Sequence, residues 1–438
     1  MTTVMVFVHL AILIGAIVLG ARHGSVGIGA AGGLGVLLLG LTGVHVDRSA
    51  IPWDVIGIIM SVIAAIAAMQ RAGGMDYLVS VAERILRRNP RRITYYAPLV
   101  TYVMTLLAGT GHTSFSTLPV IAEVAKEGGV RPSRPLSAAV VTSQLAITAS
   151  PISAAVVLMA SFVEPLGVSY LQLLAVVIPS TLLAIIPTAV VADHIGRPLD
   201  EDPVYRDRLA HGLVAPPGRP RDDGGPAARR SVVIVLVAVV AVMVYATLIS
   251  DQLGLVHDPA LGRNEAIITV MLTAATAILV ACRVPAADVP DTPVFRSGMS
   301  ACVCVLGVAW LGTTFINHYL DGITAASGSV LHSAPWLLAV VLFVAASLLY
   351  SQAATTQALI PAALSIGVSP LAAVAAFAAT SALFVLPTYP TLLAAVEMDD
   401  TGSTRIGSWV VNHPFIVPGT VAVVTAVVLG FAIGSVVL

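Results

Sequence analysis

The 438-residue sequence predicts an all-α polytopic membrane protein, and three observations carry that prediction. Charged residues make up 10% of the chain and AVILMFWYC residues 57%, whereas soluble domains carry about 25% charge. The apolar residues lie in continuous runs of about 16–24, the length of a membrane-crossing helix, rather than in the alternating ten-residue pattern of a barrel strand. Short apolar pieces, prolines and hydroxyl-rich loops also recur in the same order in the two halves of the chain. The 22 basic and 23 acidic residues leave a formal net charge of -1 and no basic stripe. That excludes a nucleic-acid partner and leaves the lipid bilayer as the surrounding phase. Cys282, Cys302 and Cys304 all fall in apolar helix candidates. Cys302 and Cys304 diverge by about 200° on a helix, so they are read as small apolar filler, neither disulfide nor metal clamp.

In chain order, Val4–Ala21 reads as a retained first helix, Ser25–Val44 as a Gly-rich second and Ile51–Gln70 as a third. An arginine-rich stretch from Arg71 to Arg92 follows, amphipathic between Asp76 and Leu86. Ile93–Ala108 and Thr113–Lys126 each reach only ~21–24 Å at 1.5 Å per residue, short of a ~30 Å hydrocarbon core. Joined by Gly109-Thr110-Gly111-His112, they read as the arms of a re-entrant hairpin over 93–126. Pro135–Phe162 is long enough to cross, but Pro151 in Thr148-Ala149-Ser150-Pro151 has no amide hydrogen and breaks it midway. Tyr170–Ala192 closes a first unit, residues 1–192. Residues 193–230 hold seven Arg, seven acidic residues and six Pro with no apolar period, and read as a cytoplasmic linker.

Residues 231–438 repeat the first unit at an offset of about 241: Pro52 falls on Pro293, Pro119 near Pro361 and Pro151 near Pro387. The second hairpin spans 335–365, with arms Pro335–Leu349 and Thr355–Ser365 around Tyr350-Ser351-Gln352-Ala353-Ala354. The second break is Leu386-Pro387-Thr388-Tyr389-Pro390. Five crossings plus a hairpin per unit make two inverted repeats with ten spanning helices in all. Placing Arg84–Arg92 in the cytoplasm puts every Lys and Arg except Arg48 and Arg263 on that side, with both termini extracytoplasmic.

Broken helices and hairpins in matching places of inverted halves point to a secondary transporter, because backbone freed at membrane depth must face a ligand or a wet cavity. Half-helix N-termini offer unpaired N–H groups and a positive dipole end, which suits an anion without a buried arginine. The candidate substrate-binding residues are Gly109, Thr110, Gly111, His112, Thr113, Ser114, Thr148, Ser150, Pro151 and Ser153 in the first half. In the second they are Ser351, Gln352, Ala353, Thr355, Thr356, Pro387, Thr388 and Tyr389, with Thr391 nearby. The bland alternative is that these hydroxyls back-bond within apolar helices. Other classes are a sodium/proton antiporter, which wants paired mid-membrane carboxylates; a carrier of another small organic anion; and an intramembrane hydrolase pairing His112 with Ser114 or Ser150.

Several strings together resemble the anaerobic C4-dicarboxylate transporter (Dcu) family, within the wider ion-transporter superfamily. They are Gly109-Thr110-Gly111-His112, Ala149-Ser150-Pro151-Ile152-Ser153, Val294-Phe295-Arg296-Ser297-Gly298-Met299, Ser351-Gln352-Ala353-Ala354, Leu386-Pro387-Thr388-Tyr389-Pro390 and Val411-Asn412-His413. The resemblance covers nearly the whole chain in order. It implies exchange or uptake of fumarate, succinate, malate or aspartate across the bacterial inner membrane, no enzymatic activity and no cofactor. It further implies a homodimer whose hairpins move in a transport domain. The choice between counter-exchange and symport with Na+ or H+ stays open.

Overall fold

A computed structural model describes residues 3–438 apart from 24–25, 49–50, 52, 112–113, 215–224, 250–255, 257–258, 328–333, 350, 387–388 and 408–411. It is all-α. The first half contains α1 (Thr3–His23), α2 (Val26–Leu41), α3 (Trp53–Arg71), α4 (Gly74–Leu86), α5 (Ile93–Ala108), α6 (Ser114–Glu127), α7 (Ser133–Ile147), α8 (Ala154–Val163) and α9 (Tyr170–Asp193). After α10 (Pro203–Ala210), the second half contains α11 (Pro226–Leu248), α12 (Arg263–Ala281) and α13 (Pro293–Ser327). These are followed by α14 (Leu337–Leu349), α15 (Gln352–Ser365), α16 (Pro370–Ala376), a 3₁₀ stretch Phe377–Phe384, α17 (Pro390–Met398) and α18 (Ile416–Val437).

The chain is a multi-pass membrane protein. Tyr170–Asp193, Asn264–Ala281 and Ile416–Val437 are each long and apolar enough to cross a membrane, and α3 and α4 meet at a bend of 71°. Leu37, Val237, Val280, Val424 and Val436 are exposed, an apolar outer surface that water would not tolerate but lipid chains match. The hairpin arms are short helices, as their length in sequence requires. Pro151 does interrupt the helical path: the helix stops at Ile147 and resumes at Ala154.

Two boundaries differ from expectation. The linker segment contains a short helix, α10. Asp202 caps α10 by accepting from the Val204 amide at 2.9 Å, with Pro203 at the first helical position, where its missing N–H costs nothing. Prolines thus start helices at Pro203 and again at Pro226. The second arm of the second hairpin begins at Gln352 rather than Thr355, because Ser351 accepts the Ala354 amide at 3.1 Å as an N-cap.

Packing crosses between the halves reciprocally. α3 lies on α12 and α2 on α13; α8 packs on α15 and α6 on α17; α9 packs on α18. Each second hairpin arm thus leans on the post-break segment of the opposite half. The buried apolar residues form two main cores. One joins α4–α9 to α14–α18 through Leu118, Ile121, Leu136, Val156, Phe377, Phe384 and Phe415. The other joins α3, α11, α12 and α13 through Ile58, Ile66, Met271 and Ile278, and Ile152 and Leu158 from the first break reach into it.

Charged groups gather at one end. Lys126 pairs with Asp400 at 2.8 Å, Arg131 with Asp202 at 2.5 Å and Arg405 with Asp202 at 3.7 Å. Arg134 donates to the Ile195 and Gly196 carbonyls, and Arg208 to the Asp400 carbonyl. Burial by itself raises the Asp202 carboxyl. The Val204 amide, Arg131 and Arg405 outweigh it, and the net position is below the ordinary carboxylate value. Arg87 is ringed by Glu83, Glu123 and Glu127 at the same end of α4 and α6.

Candidate functional site

The first hairpin tip and the first break form one unit. α5 ends at Ala108, and Gly109 turns the chain with φ 68°. A side chain there would strike Ile152, whose Cγ1 and carbonyl oxygen lie 2.9 and 3.1 Å from the position of an added Cβ. Ser150 ties the break to the arm by donating to the Leu106 carbonyl at 2.7 Å. Ser153 caps α8 by accepting the Val156 amide at 3.2 Å, and donates its own proton to the Ile147 carbonyl at 2.6 Å. Thr148 donates to Leu145 O, and the Tyr170 hydroxyl to Pro151 O. Ser114 donates to Gly111 O at 2.6 Å. Thr110 is half-buried at the bend of the tip.

In the second half, Thr355 and Thr356 donate to the carbonyls of Ser351 and Gln352 at 2.7 and 2.8 Å. Ala353 packs against the core of α3 and α11–α13. Tyr389 precedes α17 in extended conformation. His112, Thr113, Pro387 and Thr388 lie outside the described residues.

The two units meet at Gln144, in the last turn of α7. Its backbone carbonyl accepts from Gln352 Nε2 at 2.6 Å and from Ser381 Oγ at 3.4 Å, and Gln352 also donates to Ser381 Oγ at 3.0 Å. The Gln144 side chain donates through Nε2 to Thr391 Oγ1 at 3.0 Å. Its amide lies beside the bare Cα of Gly111, where an added Cβ would sit 3.4 Å from Nε2 and 3.5 Å from Oε1. Gln144, Ser381, Gln352 and Thr391 are all buried. One buried cluster therefore joins the first hairpin tip, the first break, the second hairpin and the second break.

Gln144 and Ser381 were not among the residues singled out from sequence. The signal was present: an amide in an apolar helix one turn before a break is costly to bury unless it has a use.

No described residue of this cluster carries a formal charge, and four helices (α6, α8, α15 and α17) begin at it. Their N-terminal dipole ends give it positive potential without a cation side chain, an environment for a small anion. Among the described residues no group of His, Cys, Asp or Glu could hold a metal ion. Ser114 and Ser150 each give their proton to a backbone carbonyl, an arrangement with no activated nucleophile.

The family described as anaerobic c4-dicarboxylate membrane transporter matches residues 5–438. The C4-dicarboxylate transporter DcuA of Wolinella succinogenes is 56% identical over 434 residues, covering 99% of this chain and 100% of that protein. The protein of the same name from Escherichia coli K12 is 56% identical over 432 residues, covering 98% and 99%. Among solved structures, the YdaH transporter of Alcanivorax borkumensis aligns with a TM-score of 0.52 over 87% of this chain and 84% of that one, at 16% identity, a likeness of fold. With a match running the full length of the chain, the protein belongs to the anaerobic C4-dicarboxylate membrane transporter family.

Proposed function

We propose that this chain carries C4-dicarboxylates (fumarate, succinate, malate and aspartate) across the bacterial inner membrane as a secondary transporter. The observation that carries the reading is the uncharged, buried meeting point of two hairpins and two breaks at Gln144. Four helix N-termini converge there, which favours a dianion desolvated from water. The substrate lies among Gly109, Thr110, Gly111, His112, Thr113 and Ser114, the Thr148–Ser153 break, Ser351–Thr356, and Pro387, Thr388 and Tyr389. No cofactor takes part.

The units 1–192 and 231–438 are inverted repeats joined by the cytoplasmic linker 193–230, each with five crossings and one re-entrant hairpin. The reciprocal packing of α6 on α17 and α8 on α15 supports this, since an internal two-fold axis exchanges such pairs. Both termini are extracytoplasmic. The gathering of Lys126, Arg131, Arg134, Arg208 and Arg405 at one end supports that sidedness.

The division into two cores supports an elevator motion, in which α4–α9 and α14–α18 slide against α3 and α11–α13, with the latter as the scaffold of a homodimer. Transport proceeds by exchange or by symport with Na+ or H+.

Purified protein in liposomes preloaded with succinate should accumulate labelled fumarate or aspartate by counterflow. Imposed Na+ and proton gradients, applied with no internal substrate, separate symport from exchange. Movement of a monocarboxylate or a cation in place of dicarboxylates would overturn the assignment. A cysteine at Arg88 should resist an impermeant reagent in intact cells while one at Asp258 labels.

A further inference from the structure

Gln144 is 0% exposed, and its side-chain nitrogen is accounted for by Thr391. Among the described residues its side-chain oxygen has no hydrogen-bond partner. A buried amide oxygen left bare carries the full desolvation penalty of an unmade bond, so a native protein rarely keeps one without an occupant. The oxygen sits against Gly111, at the hairpin tip, inside the cluster where two hairpins and two breaks meet. Everything else there suits an anion. An amide oxygen does not: facing a carboxylate it is acceptor against acceptor.

We propose that Gln144 Oε1 recognises a hydrogen-bond donor on C2 of the substrate, making Gln144 a specificity-determining residue that favours hydroxy- and amino-dicarboxylates over unsubstituted ones. This rests on the dicarboxylate reading of the same site. At neutral pH succinate and fumarate are dianions that offer oxygen acceptors alone. Malate adds a hydroxyl and aspartate an ammonium, and only these can satisfy the bare oxygen. The ammonium gives the stronger bond because it is charged. The order of benefit is aspartate, then malate, then the unsubstituted pair. The amide donates to Thr391 Oγ1, which leaves its oxygen turned toward the hairpin tip. Turned over, the amide would present N–H groups instead, and these would serve any carboxylate without discrimination.

The test is labelled succinate counterflow in proteoliposomes, competed by unlabelled aspartate and unlabelled fumarate, and read as the ratio of their inhibition constants. That ratio does not depend on the fraction of protein that folds. Gln144→Met keeps the volume and removes the oxygen. It should weaken aspartate relative to fumarate by about tenfold or more, the size of one charge-assisted bond. Gln144→Glu keeps an acceptor and adds negative charge, so it should move the ratio the other way. An unmoved ratio in both variants, or equal loss of fumarate and aspartate in Gln144→Met, overturns the inference and leaves the transport assignment standing. Absence of both variants from the membrane makes Gln144 structural and also overturns it. A parent protein that counterflows no C4-dicarboxylate removes the functional reading, and this inference with it.

Discussion

The two breaks solve one problem in different ways. Each interrupts a helical path beside a proline and frees backbone carbonyls among buried apolar residues, where an unmade bond is costly. At the first break the answer is local. Thr148, Ser150 and Ser153 give their protons to Leu145, Leu106 and Ile147, and Tyr170, from the start of α9, covers the Pro151 carbonyl. At the second break the Val385 carbonyl, two residues before Pro387 in the chain, lies 3.2 Å from His413 Nε2, just ahead of α18. Gln352 and Ser381 reach out of the second half altogether, to the Gln144 carbonyl in the first. The first break is a frame closed within its own half, and Gln352 is a hanger from the second half to the Gln144 carbonyl. A disturbance at the frame should stay local, whereas one at the hanger should uncouple the halves.

Breaking that hanger should give the largest effect. Gln352→Met keeps the shape and removes both donors, leaving the buried Gln144 carbonyl with only the longer bond from Ser381. The expected cost is about 2–3 kcal/mol, one good bond plus a stranded acceptor. It is read as a fall of several degrees in detergent melting temperature together with a loss of counterflow. Unchanged melting would mean that the halves are held by apolar packing alone.

The loops that follow the breaks sharpen the contrast. After α8 the chain turns through Glu164–Leu166 and enters α9 with a capping box between Ser169 and Gln172. After α17 it is pinned from outside its own half: Lys126 binds Asp400, Arg131 reaches the Ser403 carbonyl, and Asp202 in the linker holds Arg131 and Arg405. Asp202→Asn should cost about 1.5–3 kcal/mol, the worth of a charge-assisted bond. Its pH dependence has a definite sign. The folded carboxyl lies below its ordinary value of 3.8, so its contribution is complete above that value and is lost as pH falls through the lower folded one. The clamp is therefore constant from pH 5 to 8. Melting curves of wild type and Asp202→Asn should run parallel there and converge only below about pH 4.

At the first break, Tyr170→Phe removes the cover from Pro151 O without creating a cavity. About 1 kcal/mol is expected, seen as a modest loss of melting temperature with the aspartate-to-fumarate preference intact. A changed preference would mean that the break itself shapes the substrate site.

Much of this was legible in sequence. Pro151 marks the first break, and the short apolar arms mark the short helices α5, α6, α14 and α15, because a missing N–H and a limited length are local properties. Gln144 was not legible in the same way. Its importance comes from contacts with residues more than 200 positions away, and no local pattern separates an amide that joins two halves from one that merely packs. The short helix inside the linker was hidden for the opposite reason: proline marks helix starts as well as stops, and the Asp202 carboxylate beside Pro203 tells which.

Hydroxyl clusters gather at the breaks, yet their protons are mostly spent on backbone, and Thr355 is the clearest case. From sequence it is a donor to substrate. In the structure its hydroxyl proton goes to the Ser351 carbonyl at 2.7 Å, one turn back along α15. Its Ala354 neighbour is already held by the Ser351 cap. A proton committed in this way reaches a carboxylate only after the back-bond is broken, so the net gain from the new bond is small. Thr355→Val preserves the branched shape in a fully buried position. The amide four residues on still bonds that carbonyl, so little is left unsatisfied. Succinate affinity and melting temperature should both stay within about 0.5 kcal/mol of wild type, the ordinary scale of a helix back-bond. A tenfold loss of succinate affinity in Thr355→Val would show that the hydroxyl swings away from Ser351 when the anion arrives. In that case the second half rearranges on binding rather than waiting ready-made, and its dependence on the first half through Gln352 would be how that rearrangement is felt on the other side.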